Sequence, residues 1–369
     1  MARVAHIWDL GGGPIVWTST GDYLTFLTVP RPGDEPADLD IVAIDTHTGK
    51  QSSTHCRGCF DLTAAAGNDI TALVSTQSLR PTSEAPTVSW VLDNAAQARH
   101  VRLTGFTIDS TGPHTTGTSS ETRLRYLLAG TPSHLLGSYQ TTSDGRVEYN
   151  SILTKPDGKG SWAAPPVAYR RFGDGQVAAV SMSLTPGHER ILASQVPGSY
   201  GCAARASASL YGMDHSSRPT DLSRLTPSAM AEHNEWGSSM KDLWWGLDGN
   251  FHATMATWRC TEGDKNAYFA VDRDRSQQQV IMRNSLWTLD NSSLVWRPEP
   301  TPAAAQTRFI GNSGYLVLAK PDCIGPVTKA EAADKHYCER GVLYRRNSGT
   351  QVIIADRVLT MSTPPPVAK

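Results

Sequence analysis

The chain has 369 residues, of which 39% are hydrophobic and 19% charged, and its formal net charge is −1. That near-neutral balance argues against a nucleic-acid or anionic-membrane binder. No stretch approaches the roughly 18 apolar residues of a membrane helix, so no direct membrane insertion is expected.

Abundant Thr, Ser and Gly, without a long amphipathic helical run, point to strands and turns throughout. The first four predicted strands are PIVWTS (14–19), YLTFLTV (23–29), LDIVAID (39–45) and KQSSTHC (50–56). The turn STGD joins the first two and THTGK the last two. Gly, Asn and Asp recur at such turns because tight hairpins often need positive φ. Two patterns then alternate: a tight turn entering an apolar strand, and a strand ending in a polar turn. TSTGDYLTFL (18–27) and DIVAIDTHTGK (40–50) are the first pair. AAGNDITALV (65–74) with VSWVLDNAAQ (88–97), and GTPSHLLGSY (130–139) with VEYNSILTKPDGK (147–159), follow. LTPGHERILA (184–193) with ASLYGMDHSS (208–217) is the fourth pair, and GLDGNFHATM (246–255) with YFAVDRDRSQ (268–277) the fifth. GNSGYLVLA (311–319) with GVLYRRNSGT (341–350) is the last.

This repeat predicts an all-β fold, a six-bladed β-propeller with four antiparallel strands per blade. Seven blades are the alternative, because SLWTLDNSSLVW (285–296) is surplus as an extra hairpin or part of a degenerate blade. Residues 1–362 form one domain, and 363–369 a Pro-rich tail or linker. The last blade is completed by VAHIWDL (4–10) or by TQVIIADRVL (350–359). Val42, Ile44, Trp90, Leu92, Leu210, Phe269, Val271 and Leu343 are expected in the core.

Long connections are expected between second and third strands, at 30–38, 75–86, 140–146, 195–206, 257–266 and 320–340. Others run from a fourth strand to the next first strand, at 104–123, 160–176, 224–241 and 285–305. Both kinds emerge at one end of the blades, and the short turns at the other. Binding is expected at the long-connection end. Asp45, Asp93, Asp214 and Asp272 are expected to cap turns at the short-turn end.

The cysteines fall in informative places. Cys202, Cys260 and Cys323 each follow the second strand of a repeat, and Cys338 precedes a third strand. Cys202–Cys260 and Cys323–Cys338 are the expected pairs, and Cys56 and Cys59 form a CxxC read as a structural disulfide. Disulfides imply an extracytoplasmic location; free thiols would imply a cytoplasmic one. Zinc at this CxxC would need further ligands at paired spacing, so no metal or cofactor is expected.

Candidate ligand-binding residues cluster in the fourth and fifth repeats. His233, Glu235 and Trp236 enter the fifth, and Trp258 and Arg259 follow its second strand. Tyr200 and Arg205 are their counterparts in the fourth. Arginine beside an aromatic suits a carboxylate or a protein partner. His233 and Glu235 are also the weak catalytic candidates, as an acid/base pair.

The repeat resembles that of the TolB-like and YncE-like propellers, whose blades carry an SPDG turn and a later D-x-x-TG-(K/R) turn. WGLDGNFHA, LTPGHERILA, VWTSTGDYLTF and AIDTHTGK carry the resemblance, while TPSH in the third repeat and NSGY in the sixth depart from it. It implies architecture over nearly the whole chain and no single function, because such families include scaffolds, sensor domains, peptidase gates and polysaccharide lyases. The expected function is a monomeric, non-enzymatic binding, sensor or scaffold propeller for a protein, peptide or glycan. A polysaccharide lyase or glycoside hydrolase at the same face is one alternative, and a cytoplasmic interaction scaffold the other.

Overall fold

A computed structural model describes residues 15–28, 38–77, 98–131, 133–143, 146–155, 161–163, 180–182, 190–195, 207–212 and 220–222. It further describes 236–246, 248–259, 281–290, 292–302, 306–309, 314–319, 341–347, 350–358 and 361. These residues form six four-stranded antiparallel sheets, each with its strands in chain order. Three sheets belong to one compact unit and three to a second.

In the first unit, sheet one comprises β1 (Val16–Trp17), β2 (Tyr23–Leu27), β3 (Asp38–Asp45) and β4 (Gln51–Arg57). Sheet two comprises β5 (Cys59–Ala64), β6 (Asp69–Ser75), β7 (Val101–Asp109) and β8 (Gly112–Glu121). Sheet three comprises β9 (Tyr126–Gly130), β10 (Leu135–Ser143), β11 (Arg146–Thr154) and β12 (Ser161–Ala163). First strands neighbour first strands, β5 lying against β1 and β9, and β8 lies against β4. That is how propeller blades stack.

The apolar run Ile41-Val42-Ala43-Ile44 shows why stacked sheets suit this sequence. Ile41 and Ala43 join the main core of the unit with Leu39, Phe60, Leu62, Leu73 and Phe106. Val42 and Ile44 point the other way and pack with Leu24 and Phe26. A strand with both faces covered needs a continuous apolar run, whereas the outer strand β8 is largely exposed and reads GPHTTGTSSE.

The short-turn end of this unit is tied by hydrogen bonds from turn to turn. The Thr46 hydroxyl donates to the carbonyls of Gly21 (2.9 Å) and Asp22 (3.0 Å). Ser19 donates to the Ala65 carbonyl and Thr20 to the Asn68 side chain, linking sheets one and two. Asp45 Oδ1 accepts the amides of His47 and Thr48, both at 2.8 Å, as an Asx turn does. The turn between β7 and β8 repeats this chemistry: Asp109 Oδ1 accepts the Thr111 hydroxyl at 2.6 Å and amide at 2.7 Å.

In the second unit, sheet four comprises β13 (Val180–Met182), β14 (Arg190–Gln195), β15 (Ser207–Gly212) and β16 (Thr220–Asp221). Sheet five comprises β17 (Trp236–Trp245), β18 (Phe251–Arg259), β19 (Ile281–Asp290) and β20 (Val295–Pro302). Sheet six comprises β21 (Gln306–Phe309), β22 (Gly314–Ala319), β23 (Gly341–Asn347) and β24 (Thr350–Val358). Leu210, Leu243, Phe251, Met255 and Leu289 form a core shared by sheets four and five. Asp290 Oδ1 caps the β19–β20 turn, accepting the Ser292 amide (2.9 Å) and hydroxyl (2.5 Å).

These turn bonds shift the carboxyls. The Thr111 hydroxyl and the amides of Thr111 and Gly112 hold Asp109 down to about 2. The Ser292 hydroxyl and the amides of Ser292 and Ser293 do the same for Asp290. Folded values lie below the unfolded value of roughly 3.9, so the stabilisation is complete above that pH and is lost as pH falls through about 2. Stability is therefore expected to decline between about pH 4 and pH 2, and Asp109→Ala with Asp290→Ala to flatten that decline. An identical acid-unfolding curve for the double variant would contradict this reading.

Several expectations need correction. Residues 104–123 are not a connection: they form most of the β7–β8 hairpin. Residues 285–305 likewise lie largely in β19 and β20, and SLWTLDNSSLVW spans the end of β19, the turn and the start of β20 in sheet five rather than a surplus hairpin. The strand β17 begins within 224–241, and β10 and β11 close tightly across 140–146, pairing Ser143 with Arg146. The common cause is that outer strands are exposed and polar, while denser apolar segments nearby attracted the assignment. Those segments, 88–97 and 268–277, lie outside the described residues, as do Trp90, Leu92, Asp93, Asp214, Phe269, Val271 and Asp272. Asp109 and Asp290 take the turn positions expected of Asp93 and Asp272. TQVIIADRVL supplies β24, the fourth strand of sheet six, and 4–10 lies outside the described residues. Val42, Ile44, Leu210 and Leu343 are buried as expected.

Candidate functional site

The β17–β18 hairpin gathers three of the expected ligand-binding residues through its backbone. Trp236, the first residue of β17, is paired with Arg259, the last of β18, and Gly237 with Trp258. On the other side β19 pairs Ile281 with Arg259 and Met282 with Trp258. Trp258 and Arg259 therefore lie within the strand rather than after it, and Trp236 lies in a strand rather than a loop. Strand pairing places backbones far more accurately than a loop does. A bulge between Met240 and Asp242 interrupts the register midway. Tyr200, Arg205, His233 and Glu235 lie outside the described residues, as do Cys202, Cys260, Cys323 and Cys338. Cys56 and Cys59 form a disulfide between β4 and β5, with Cα atoms 5.6 Å apart.

The opposite end of the same hairpin holds a hydrogen-bonded chain that the sequence did not announce. His252 is fully buried in β18 and stacks on Trp244, with ring centroids 5.3 Å apart. Its Nε2 lies 2.8 Å from Asp248 Oδ1, in the β17–β18 turn. Its Nδ1 lies 2.8 Å from Thr288 Oγ1, directly across on β19. The Thr288 hydroxyl in turn donates to Glu299 Oε1 at 2.8 Å on β20.

Gly246 makes the turn possible, because a Cβ there would come 2.5 Å from both Asp248 Oδ1 and His252 Nε2. Burial pushes the Asp248 carboxyl up, but the bonds from His252 and Asn250 outweigh it, and the net shift is downward. The covered imidazole touches no solvent, so this chain orders sheet five across three strands rather than meeting a substrate. Its sequence trace is His252 standing where sheets one and two carry the buried threonines Thr25 and Thr71. Among the described residues no group of three or more His, Cys, Asp or Glu is placed to hold a metal.

No protein-family model matches the chain. A search of curated proteins finds no match either. Among solved structures, the chain is similar in architecture to TolB from Acinetobacter baumannii, at 8% identity and a TM-score of 0.42. That similarity covers 92% of this chain and 65% of the TolB chain, so the chain spans less than two thirds of TolB's length. It is also similar to the β-propeller domain of the Trilobed protease from Pyrococcus furiosus, at 8% identity and a TM-score of 0.44, covering 93% of this chain and 82% of that one. A mutant of Trypanosoma rangeli sialidase displaying trans-sialidase activity is similar at 14% identity and a TM-score of 0.38, covering 96% of this chain and 53% of that one.

Proposed function

We propose that the six sheets are the blades of one propeller over residues 1–362, and that it is a non-enzymatic extracytoplasmic module binding a protein, peptide or glycan at the long-connection end. The observation that carries this reading is the backbone register that brings Trp236, Trp258 and Arg259 to that end of one hairpin. Tryptophan and arginine dominate binding hot spots, since both offer large contact area with a polar handle. The Cys56–Cys59 disulfide supports an oxidising compartment.

The test is a binding screen of the intact chain against immobilised acidic and neutral glycans and peptides. Arg259→Gln and Trp258→Ala are each expected to weaken the captured ligand by about tenfold or more, the effect of a hot-spot residue. Unchanged affinity in both variants would remove this hairpin from the binding surface. Turnover of a uronate-containing glycan that disappears in His233→Ala would replace the binding reading with a lyase.

A further inference from the structure

We propose that the turn half of β24 is an interface between two copies of this chain, in which the outer edge of the strand pairs antiparallel with its own twofold mate across Val352. β24 is the outer strand of sheet six, hydrogen-bonded to β23 on its inner side. Near its turn it carries two large apolar residues in a row, Val352 and Ile353, which are 60% and 65% exposed. Successive residues of a strand point to opposite faces, so both faces of this stretch stand open. Among the described residues no other adjacent pair of large apolar side chains is exposed.

The register determines which backbone groups face outward. Asn347 pairs with Thr350 directly across the turn, as the doubly hydrogen-bonded closing pair of a tight hairpin. Doubly bonded pairs alternate with unbonded ones, so Arg345–Val352 is bonded, while Arg346–Gln351 and Tyr344–Ile353 are not. Gln351 and Ile353 therefore turn their N–H and C=O groups to the outer edge. Gln351 of each copy can pair with Ile353 of the other, both pairs exchanging their N–H···O bonds about a twofold axis. The Val352 side chains then meet at the centre, at the close spacing of an unbonded pair. Such an edge offers its mate the same donors and acceptors that it receives, as an isologous contact requires.

The longer outer strands elsewhere are guarded against such pairing. β20 carries Pro298, Pro300 and Pro302, which lack a backbone donor. β8 is broken by register shifts, and β4 carries His55 and Arg57. The devices of β24 lie past Ile353: register shifts in its pairing with β23, then Asp356, then Arg357 with a φ of 54°. Residues 350–353, Thr-Gln-Val-Ile, hold no charge. Arg345 shares the face of Val352, but across the axis the two Arg345 residues stand three strand spacings apart, about 14 Å. That exceeds the Debye length of about 8 Å at physiological salt. With a net charge of −1, two copies of the chain do not repel at long range. The contact is smaller than a standard stable interface, so the dimer is weak and forms at high concentration. It goes beyond the surface proposed on the β17–β18 hairpin and stands or falls without it.

The test is sedimentation velocity of the whole protein from about 10 μM to about 1 mM, the range in which a weak interface fills. The average mass is expected to rise towards that of a dimer. Val352→Lys and Val352→Glu each set like charges face to face at the axis, and each is expected to weaken association at least about tenfold. Mixing the two variants in equal amounts is expected to restore association, because Lys then faces Glu. Val295→Lys, at the other exposed apolar residue and on a guarded strand, is expected to leave association unchanged. In the wild type, amide exchange over 350–353 is expected to slow as concentration rises. A chain that stays monomeric to about 1 mM overturns the interface, which is also the result if another segment holds that edge. Association unchanged in both Val352 variants overturns it too. Wild-type exchange decides the matter even if a variant fails to fold: dimerisation without slowing over 350–353 places the contact elsewhere and refutes the proposal.

Discussion

Gly58→Ala is expected to destabilise the protein by about 3 kcal/mol or more, the sum of a left-handed backbone penalty and an overlap in a packed interior. Gly58 lies between the two bonded cysteines and has a φ of 81°. A Cβ there would overlap the carbonyl oxygen of Ser75 and lie 3.2 Å from its carbon. Ser75 cannot withdraw cheaply, because its amide donates to the Gly58 carbonyl at 2.9 Å. The neighbouring Cys59 is held by its pairing with Val74 and by the disulfide. Gly49 supplies the control: its φ is 73°, but a Cβ there would meet nothing within 4 Å. Gly49→Ala should therefore cost only the backbone penalty, about 1 kcal/mol. Denaturant midpoints of the two variants separate the effects, and equal losses would refute the close approach at Ser75.

The first sheet was legible nearly strand for strand because its turns carry Gly and Asp where positive φ and Asx capping require them. Gly49 follows the Asp45 cap with a φ of 73°. The second and fifth sheets misled for a physical reason. Their third strands alternate, as VRLTGFTID does in β7, and their fourth strands face solvent. Neither produces the dense apolar run that marks a strand covered on both faces. The signal that survives is the capping aspartate: Asp109 and Asp290 close the same hairpin position as Asp45. The three binding candidates Trp236, Trp258 and Arg259 were legible as a group, although strand pairing rather than a loop joins them. The His252 chain was not legible, because its hydroxyl partner is 36 residues distant.

That chain gives the other large expected effect. His252→Ala is expected to cost about 3–5 kcal/mol, the range for truncating a large ring in a packed interior. Three losses combine: the cavity left beside Trp244, the bond between the ring and the Thr288 hydroxyl, which keeps Glu299, and the bond to the Asp248 carboxylate, which keeps Asn250. His47 is the fitting control, since its Nε2 is 3.1 Å from Asp22 Oδ1 but its side chain is 74% exposed. An exposed pair of that kind contributes roughly 0–1 kcal/mol, so His47→Ala should barely move the denaturation midpoint. If burial sets the difference, His252→Ala and Thr288→Val should not add. Their double-mutant cycle should show a coupling of about 1–3 kcal/mol, as expected for members of one network. Additive losses would mean that His252 acts through packing on Trp244 alone. The hydrogen bonds from Asp248 to Glu299 would then be a consequence of the sheet rather than part of what orders it.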